Sequence, residues 1–305
     1  MLPRPVVPGR FTMITRRCTQ RQLLLRPDPE TNQIFLYVLG LAAQRTGVEV
    51  ILPSAQANHH HAVTLDRSGR LPEFYEHLHK LVARAMNAHR GRFENFWASG
   101  QTSVVELVGV EDVIEKIVYA ATNPVKDGLV AKVHHWPGAN GLRALLERRT
   151  ITVKRPRVFF SKRGKLPEEV TLTLGIPPEL GDADSILATI RARCAQVEAA
   201  MAAERAKTGA RVMGRRAVRA QSWRARPQSR ERRFGLSPRV AARDKWARIE
   251  ALQRNAAFLD AYRTARTCWL AGQPAIFPAG TYWLRRFTPA SAAPFARGSP
   301  HPPAA

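Results

Sequence analysis

Three adjacent histidines, His59-His60-His61, stand between Asn58 and the run Ala62-Val63-Thr64-Leu65. That run reads as β-strand, and side chains on a strand alternate between faces. His59 and His61 therefore project from one face and His60 from the other. Two imidazoles one strand repeat apart can grip a single divalent cation, but the set is incomplete. A third ligand has to come from elsewhere, and a site meant for catalysis also keeps open positions. Imidazole suits zinc-like metals and oxygen ligands suit magnesium or manganese, so ligand type leaves the metal open. In Ile117-Val118-Tyr119-Ala120-Ala121-Thr122-Asn123-Pro124, Tyr119 and Asn123 are four apart and share one face of a helix. Glu115 and Lys116 lie on that polar side too, and Asn123 offers a carbonyl oxygen to a metal shell. A phenol beside a metal-binding pair points to covalent phosphoryl chemistry on a nucleic acid. A zinc hydrolase built on the triplet would need a carboxylate within helical reach of the histidines, and none is there.

Charge points the same way. Among 305 residues, 48 are Lys or Arg and 24 are Asp or Glu, a net charge of +24. Residues 1–150 carry 19 basic and 13 acidic side chains, a net of +6, whereas 151–305 carry 29 and 11, a net of +18. Arginine, suited to bidentate phosphate contacts, dominates the second half. A polyanionic partner, most simply nucleic acid, is the expected consequence. The three cysteines, Cys18, Cys194 and Cys268, are far apart and form no CxxC pair, so no disulfide framework or cysteine zinc site is expected. The N-terminus lacks an apolar signal core and no run approaches transmembrane length, so the expectation is a cytoplasmic protein without membrane contact. The sequence leaves the oligomeric state, monomer or dimer, open.

The elements that must position these residues can be read from periodicity. Phe11 to Cys18 reads as a first strand. Asp28-Pro29-Glu30 starts a helix that stops at Gly47. Val48 to Pro53 and His59 to Leu65 are strands, with Ser54 to Asn58 as a hairpin-like link. Pro72 opens a second long helix that ends near Gly91. Thr102 to Val108 is a fourth strand. Glu111-Asp112 starts a short helix expected to end at Asn123-Pro124, because the residue before a proline disfavours helix. The order β-α-β-β-α-β-α is an α+β, ferredoxin-like split β-α-β arrangement with an antiparallel sheet and an added helix. Two long helices would cover one face of that sheet and leave the other free for a site. This domain spans 1–145. Residues 146–290 form a basic, mainly helical region, and 291–305 a disordered tail. Within the basic region, Asp184 to Lys207 is an amphipathic helix. Gly209 to Arg233 is expected to be extended or disordered unless bound, Ala241 to Leu270 helical, and Thr281 to Leu284 a short strand.

At this point the chain resembles a known family, the REP-associated tyrosine transposases of the single-tyrosine HUH (His-hydrophobic-His) class. The matching residues are Thr15-Arg16-Arg17-Cys18 with Arg26-Pro27, Asn58-His59-His60-His61, Asn95-Phe96-Trp97, Tyr119-Ala120-Ala121-Thr122-Asn123-Pro124-Val125, Gly128-Leu129-Val130 and Trp136-Pro137. They cover roughly residues 9–140 in order and spacing. The resemblance implies that His59 and His61 are metal ligands, Asn123 a third, helix-borne ligand, and Tyr119 the nucleophile. It implies cleavage and rejoining of single-stranded DNA beside hairpin-forming repeats, through a 5′-phosphotyrosine and with Mg2+ or Mn2+. Arg16, Arg17 and Lys126 are candidate DNA contacts near the site. The chain departs from the pattern at His60, where a hydrophobic residue is usual, and at Ala57, where proline is usual. His60 would point to the covered face, where a neutral imidazole needs hydrogen-bond partners. The alternative reading is a domesticated, non-catalytic protein that binds DNA hairpins.

Overall fold

A computed structural model of the chain describes residues 3–229 and 238–295. Four antiparallel strands form the centre of a five-stranded sheet: β1 (Arg10–Arg17), β2 (Glu49–Ala55), β3 (His59–Asp66) and β4 (Ser103–Leu107), in the spatial order β2-β3-β1-β4. The connection from β1 to β2 is helix α1 (Pro29–Thr46), and that from β3 to β4 is α2 (Leu71–Arg90). Local chemistry sets the ends of both helices. Asp28 accepts from Thr31 N–H at 2.7 Å to cap α1, and Gly47, at φ 71°, stops it in the left-handed conformation. The Asp66 carboxylate accepts from the N–H groups of Ser68, Arg70 and Leu71, which turns the chain out of β3 and into α2.

Each face of this sheet has a cover. Register pairs Thr15 with His61, Arg17 with His59 and Arg16 with His60, so the histidine triplet divides between the faces as a strand requires. His60 meets Phe35 of α1 and His79 of α2. The opposite face, expected to be free, is covered by α3 (Val110–Lys126). The reason is the helix itself. Besides Val113, Ile117, Val118 and Ala121, it buries Ile114, Ala120, Thr122, Asn123 and Val125, too much of its circumference for one partner. The sheet takes one side and a later helix takes the other.

α3 also runs past the expected stop at Asn123. It continues through Pro124 to Lys126, and Asp127 N–H still reaches Asn123 C=O at 3.0 Å. A proline inside a helix removes one donor and disturbs the carbonyls below it. Asn140 Nδ2 donates to Ala121 C=O at 3.0 Å, so a side chain from the following segment serves the carbonyl of the disturbed turn. A tertiary contact has overridden the local preference.

The remainder packs onto this framework. After α4 (Leu142–Leu146), the hairpin of β5 (Thr150–Lys154) and β6 (Glu169–Thr173) lies on α1. Gly40 permits that approach, since a Cβ at this position would stand 2.9 Å from Val170 Cγ2. Helix α5 (Ala183–Thr208) buries Ile186, Leu187, Ile190 and Cys194 against α3. Between residues 209 and 229, expected to be extended, a short helix α6 (Arg215–Ala220) forms around fully buried Val218. The rest of that stretch, 230–233, lies outside the described residues. Strand β7 (Val240–Ala241) pairs in parallel with β4 and completes the sheet, and α7 (Lys245–Leu270) follows. Strands β8 (Ile276–Phe277) and β9 (Ser291–Ala292) pair around α8 (Trp283–Phe287). The expected strand at Thr281–Leu284 is thus replaced by a helical turn. Trp283 and Phe287, four apart, stack with ring centroids 5.8 Å apart at 5°, a pairing that only a helix provides. The expected tail begins with Ser291–Ala292 in β9, and 296–305 lie outside the described residues. No described helix is long and apolar enough to cross a membrane.

Candidate metal and tyrosine site

The two outward histidines of β3 converge. Their Nε2 atoms are 3.1 Å apart and their rings meet edge to face at 4.8 Å. Neighbours hold both rings by the other nitrogen. His59 Nδ1 donates to Asn58 Oδ1 at 2.7 Å, which leaves Nε2 as the lone-pair nitrogen. Asn58 is itself held, since its Nδ2 donates to Arg21 C=O at 3.3 Å. That carbonyl sits in a 3-10 turn, Thr19–Arg21, where Gln20 (φ 48°) and Arg21 (φ 58°) both adopt the left-handed conformation. Non-glycine residues pay for this conformation in energy, and such strain collects at functional sites. On the other side, His61 Nδ1 and Thr15 Oγ1 are 2.8 Å apart. Thr15 can donate to this nitrogen or accept from it, so His61 can present either a proton or a lone pair at Nε2. Two nitrogens about 2.1 Å from one ion at right angles stand about 3 Å apart, and at the tetrahedral angle about 3.4 Å. The observed spacing matches two ligands on one cation.

Electrostatics keep both rings neutral. Burial, helped by the positive charge of Arg17, pushes His59 down to about 4. Burial and the neighbouring imidazoles hold His61 well below the ordinary histidine range. A neutral imidazole is the ligating form.

Helix α3, which covers this face, carries the other two expected residues, Tyr119 and Asn123, four apart. Tyr119 packs its ring on His61, with centroids 5.4 Å apart at 69°. The ammonium groups of Lys126 and Lys116 lie 5.5 and 5.9 Å from the centre of that ring. One turn on, Asn123 is buried, and its Oδ1 has no hydrogen-bond partner. An unpaired buried carbonyl oxygen costs roughly 1–3 kcal/mol, which a cation ligand would relieve. Two imidazoles and an amide oxygen are the groups here that could serve a cation. They therefore differ from a cluster of three or more His, Cys, Asp or Glu, none of which gathers among the described residues.

The basic candidates separate. Lys126 is at the tyrosine, and Arg17 projects on the site face, opposite His59 in the register. Arg16 lies on the other face, where its guanidinium donates to Thr102 Oγ1 at 2.9 Å and to Ala98 C=O at 3.1 Å.

Sequence reading missed several contributors. His79 partners one of the two ring nitrogens of His60: the Nε2 atoms are 2.9 Å apart inside a cluster with Phe35, Tyr75 and Trp97, while His60 Nδ1 has no partner among the described residues. Trp97 Nε1 donates to the His79 carbonyl at 2.8 Å and fixes the helix against the sheet. Burial holds His79 down at about 3 and His60 well below its usual range, so this pair shares a single hydrogen bond between neutral rings. The available signal was a lone histidine among the apolar positions of α2. Thr15 and Asn58 could have been singled out because each sits beside a histidine in register or in sequence.

The fold and site describe a mixed α+β protein with a histidine pair under a helix-borne tyrosine, and two solved transposases are similar to it. One is a REP-associated tyrosine transposase bound to a REP hairpin, at 20% identity and a TM-score of 0.38, covering 48% of this chain and 86% of that one. The other, from Deinococcus radiodurans R1 and ascribed to the transposases, has 17% identity and a TM-score of 0.27, and covers 32% of this chain and 79% of that one. No family model and no curated protein matches the chain.

Proposed function

We propose that the protein is a divalent-metal-dependent DNA transposase that nicks and rejoins single-stranded DNA beside hairpin-forming repeats, with Tyr119 as nucleophile. The observation that carries this reading is the contact of the Tyr119 ring with His61, whose Nε2 converges with that of His59. The strand order β2-β3-β1-β4, with α1 and α2 as crossovers on one face, supports reading this part as a ferredoxin-like split β-α-β domain. Residues 1–145 form the catalytic unit in this reading, and the basic remainder, to residue 290, grips hairpin phosphates.

His59, His61 and Asn123 would hold Mg2+ or Mn2+. When bound, such an ion withdraws charge from the non-bridging oxygens of the scissile phosphate. Tyr119 Oη attacks phosphorus in line with O3′. The P–O3′ bond breaks, O3′ takes up a proton, and the 5′-phosphate remains on the tyrosine. Attack by a 3′-hydroxyl reverses the step, so rejoining needs no nucleotide cofactor. Asn58 and Thr15 keep the imidazoles aimed, and Lys116, Lys126 and Arg17 supply positive charge for the phosphate backbone. The natural location for such a protein is the cytoplasm.

The test is a labelled hairpin oligonucleotide carrying a single-stranded flank, incubated with Mg2+ or Mn2+ and analysed on a denaturing gel. A covalent protein–DNA adduct is expected from the wild type and none from Tyr119→Phe. An adduct that survives Tyr119→Phe, or a wild type that forms none while binding the hairpin, would overturn the reading.

A further inference from the structure

Arg16 was expected at the DNA-cutting site and instead lines a cleft on the other side of the sheet. The cleft holds about 320 Å³. Its floor is β1 and β4. Its walls are the N-terminal segment, the start of α2, and α7 with α8. Two kinds of group meet there.

The first is an excess of guanidinium. Arg10 pairs with Glu106 at 2.8 Å, and Arg254, behind the lining, holds the same carboxylate at 3.2 Å and Glu250 at 3.0 Å, so neither acid is left over for the other guanidinium groups. Asp66, the other acid at the rim, has both oxygens occupied by backbone N–H groups at the start of α2. Among the described residues, Arg16 is bonded only to the neutral oxygens of Thr102 and Ala98 and its Nε has no partner, and burial lowers its pKa. Arg239 reaches only the carbonyl of Pro3, at 3.3 Å. Positive charge withdrawn from water without matching anions is costly, and an anionic ligand is what such a place would bind.

The second is aromatic surface: Tyr75, Tyr262, Tyr282 and Trp283 all line the cleft. Guanidinium groups facing aromatic walls match a phosphate joined to a planar heterocycle. Bare phosphate would leave the aromatic wall unused, and a nucleoside would leave the charge unmatched.

We propose that this cleft is a nucleotide-binding site, taking one nucleoside monophosphate unit with its phosphate toward Arg16 and Arg239 and its base against the aromatic wall. The unit is either a free nucleotide or an unpaired nucleotide of a DNA strand. It lies across the sheet from His59, His61 and Tyr119, so its occupancy does not depend on the chemistry there.

The experiment is calorimetric titration of the full chain with thymidine monophosphate, thymidine and inorganic phosphate. The monophosphate is expected to saturate one site per chain and to bind at least about tenfold more tightly than either half alone. Arg16→Gln and Arg239→Gln are each expected to weaken it by about tenfold or more, while Arg84→Gln, on an exposed part of α2, leaves it unchanged. Using both arginine variants guards against one that fails to fold, as checked by circular dichroism. Tyr119→Phe is expected to bind the monophosphate like the wild type, which separates this proposal from the nuclease reading. Competition with a single-stranded oligothymidylate identifies the source. Displacement by saturating monophosphate at its own dissociation constant marks a strand nucleotide, and its absence marks a free one. No saturable binding up to about 10 mM monophosphate, or equal affinity in both arginine variants, would overturn the proposal.

Discussion

If Asn123 is a metal ligand as proposed, the needs of stability and of chemistry pull apart there. Its Oδ1 is buried without a partner one helical turn beyond Tyr119. Replacement by leucine, of similar volume, removes the unpaired oxygen and should raise stability by roughly 1–3 kcal/mol in urea melts without metal. The same variant should bind Mn2+ at least about tenfold more weakly, as followed by electron paramagnetic resonance. A variant that loses stability and keeps its Mn2+ affinity would remove Asn123 from the ligand set. His60 and His79 are coupled through their Nε2 atoms at 2.9 Å, although His60 Nδ1, like Asn123 Oδ1, is buried without a partner. Either single change to leucine leaves a buried imidazole nitrogen alone and should cost roughly 1–3 kcal/mol, whereas the double change should cost far less than the sum. Additive losses in the cycle would mean that the two rings are not coupled. Histidine at the middle of the triplet is thus a packing solution, and it leaves the outward pair undisturbed.

At the scale of elements, Gly40 decides how closely the β5–β6 hairpin lies on α1. Alanine is the better helix former by about 1 kcal/mol. A Cβ here would nevertheless meet Val170 at 2.9 Å, and overpacking costs typically about 1–3 kcal/mol. Gly40→Ala should therefore lower Tm, and Val170→Ala should restore part of the loss in the double variant. A higher Tm for the single variant would show that the hairpin gives way easily. This contact also marks where sequence reading stops. Strands β1 to β4 and helices α1, α2 and α5 were legible because caps such as Asp28 and Gly47 and the apolar periodicity act locally. The division of the histidines between faces followed from strand alternation alone. The continuation of α3 through Pro124 was not legible, because locally the residue before a proline disfavours helix, and the Asn140 side chain that meets the Ala121 carbonyl comes sixteen residues after the proline. The second cover of the sheet was hidden for the same reason: α3 needs α5, more than fifty residues away. The pairing of His60 with His79 joined a strand to a helix through an aromatic cluster that no local pattern signals.

Over the whole molecule, a net charge of +24 implies that the proposed nucleic-acid binding is salt-dependent. The logarithm of affinity for a single strand should fall linearly with that of salt concentration, with a slope of about −0.7 per phosphate neutralised. Arg17→Gln and Lys126→Gln should each reduce that slope by about 0.7 if the backbone runs past the tyrosine. Unchanged slopes would move the strand away from this face. Stability should respond to pH through the buried imidazoles. His59, at about 4, His79, at about 3, and His60, His61 and His77 are all held below the ordinary histidine value, in each case mainly by burial. Above about pH 6.5 these groups are neutral in both the folded and the unfolded chain, so their full contribution is present and stability is flat. Between about 6.5 and 4 the unfolded chain takes up protons that the folded chain refuses. Stability then falls with falling pH, by up to about 1.4 kcal/mol per pH unit for each of the buried rings His60, His61 and His79, and by less for the part-exposed His59 and His77, which solvent screens. Glu73, lowered to about 2 chiefly by its hydrogen bond from Arg70, acts in a separate window below about pH 4.5. The urea midpoint should therefore drop between pH 7 and 5, above the window in which Glu73 acts. In the His60→Leu/His79→Leu double variant the drop should be shallower by the share of two protons. A midpoint that stays level down to pH 5 would mean that the folded chain protonates these rings as readily as the unfolded one, and that the histidine pair on the site face is not held in its ligating form.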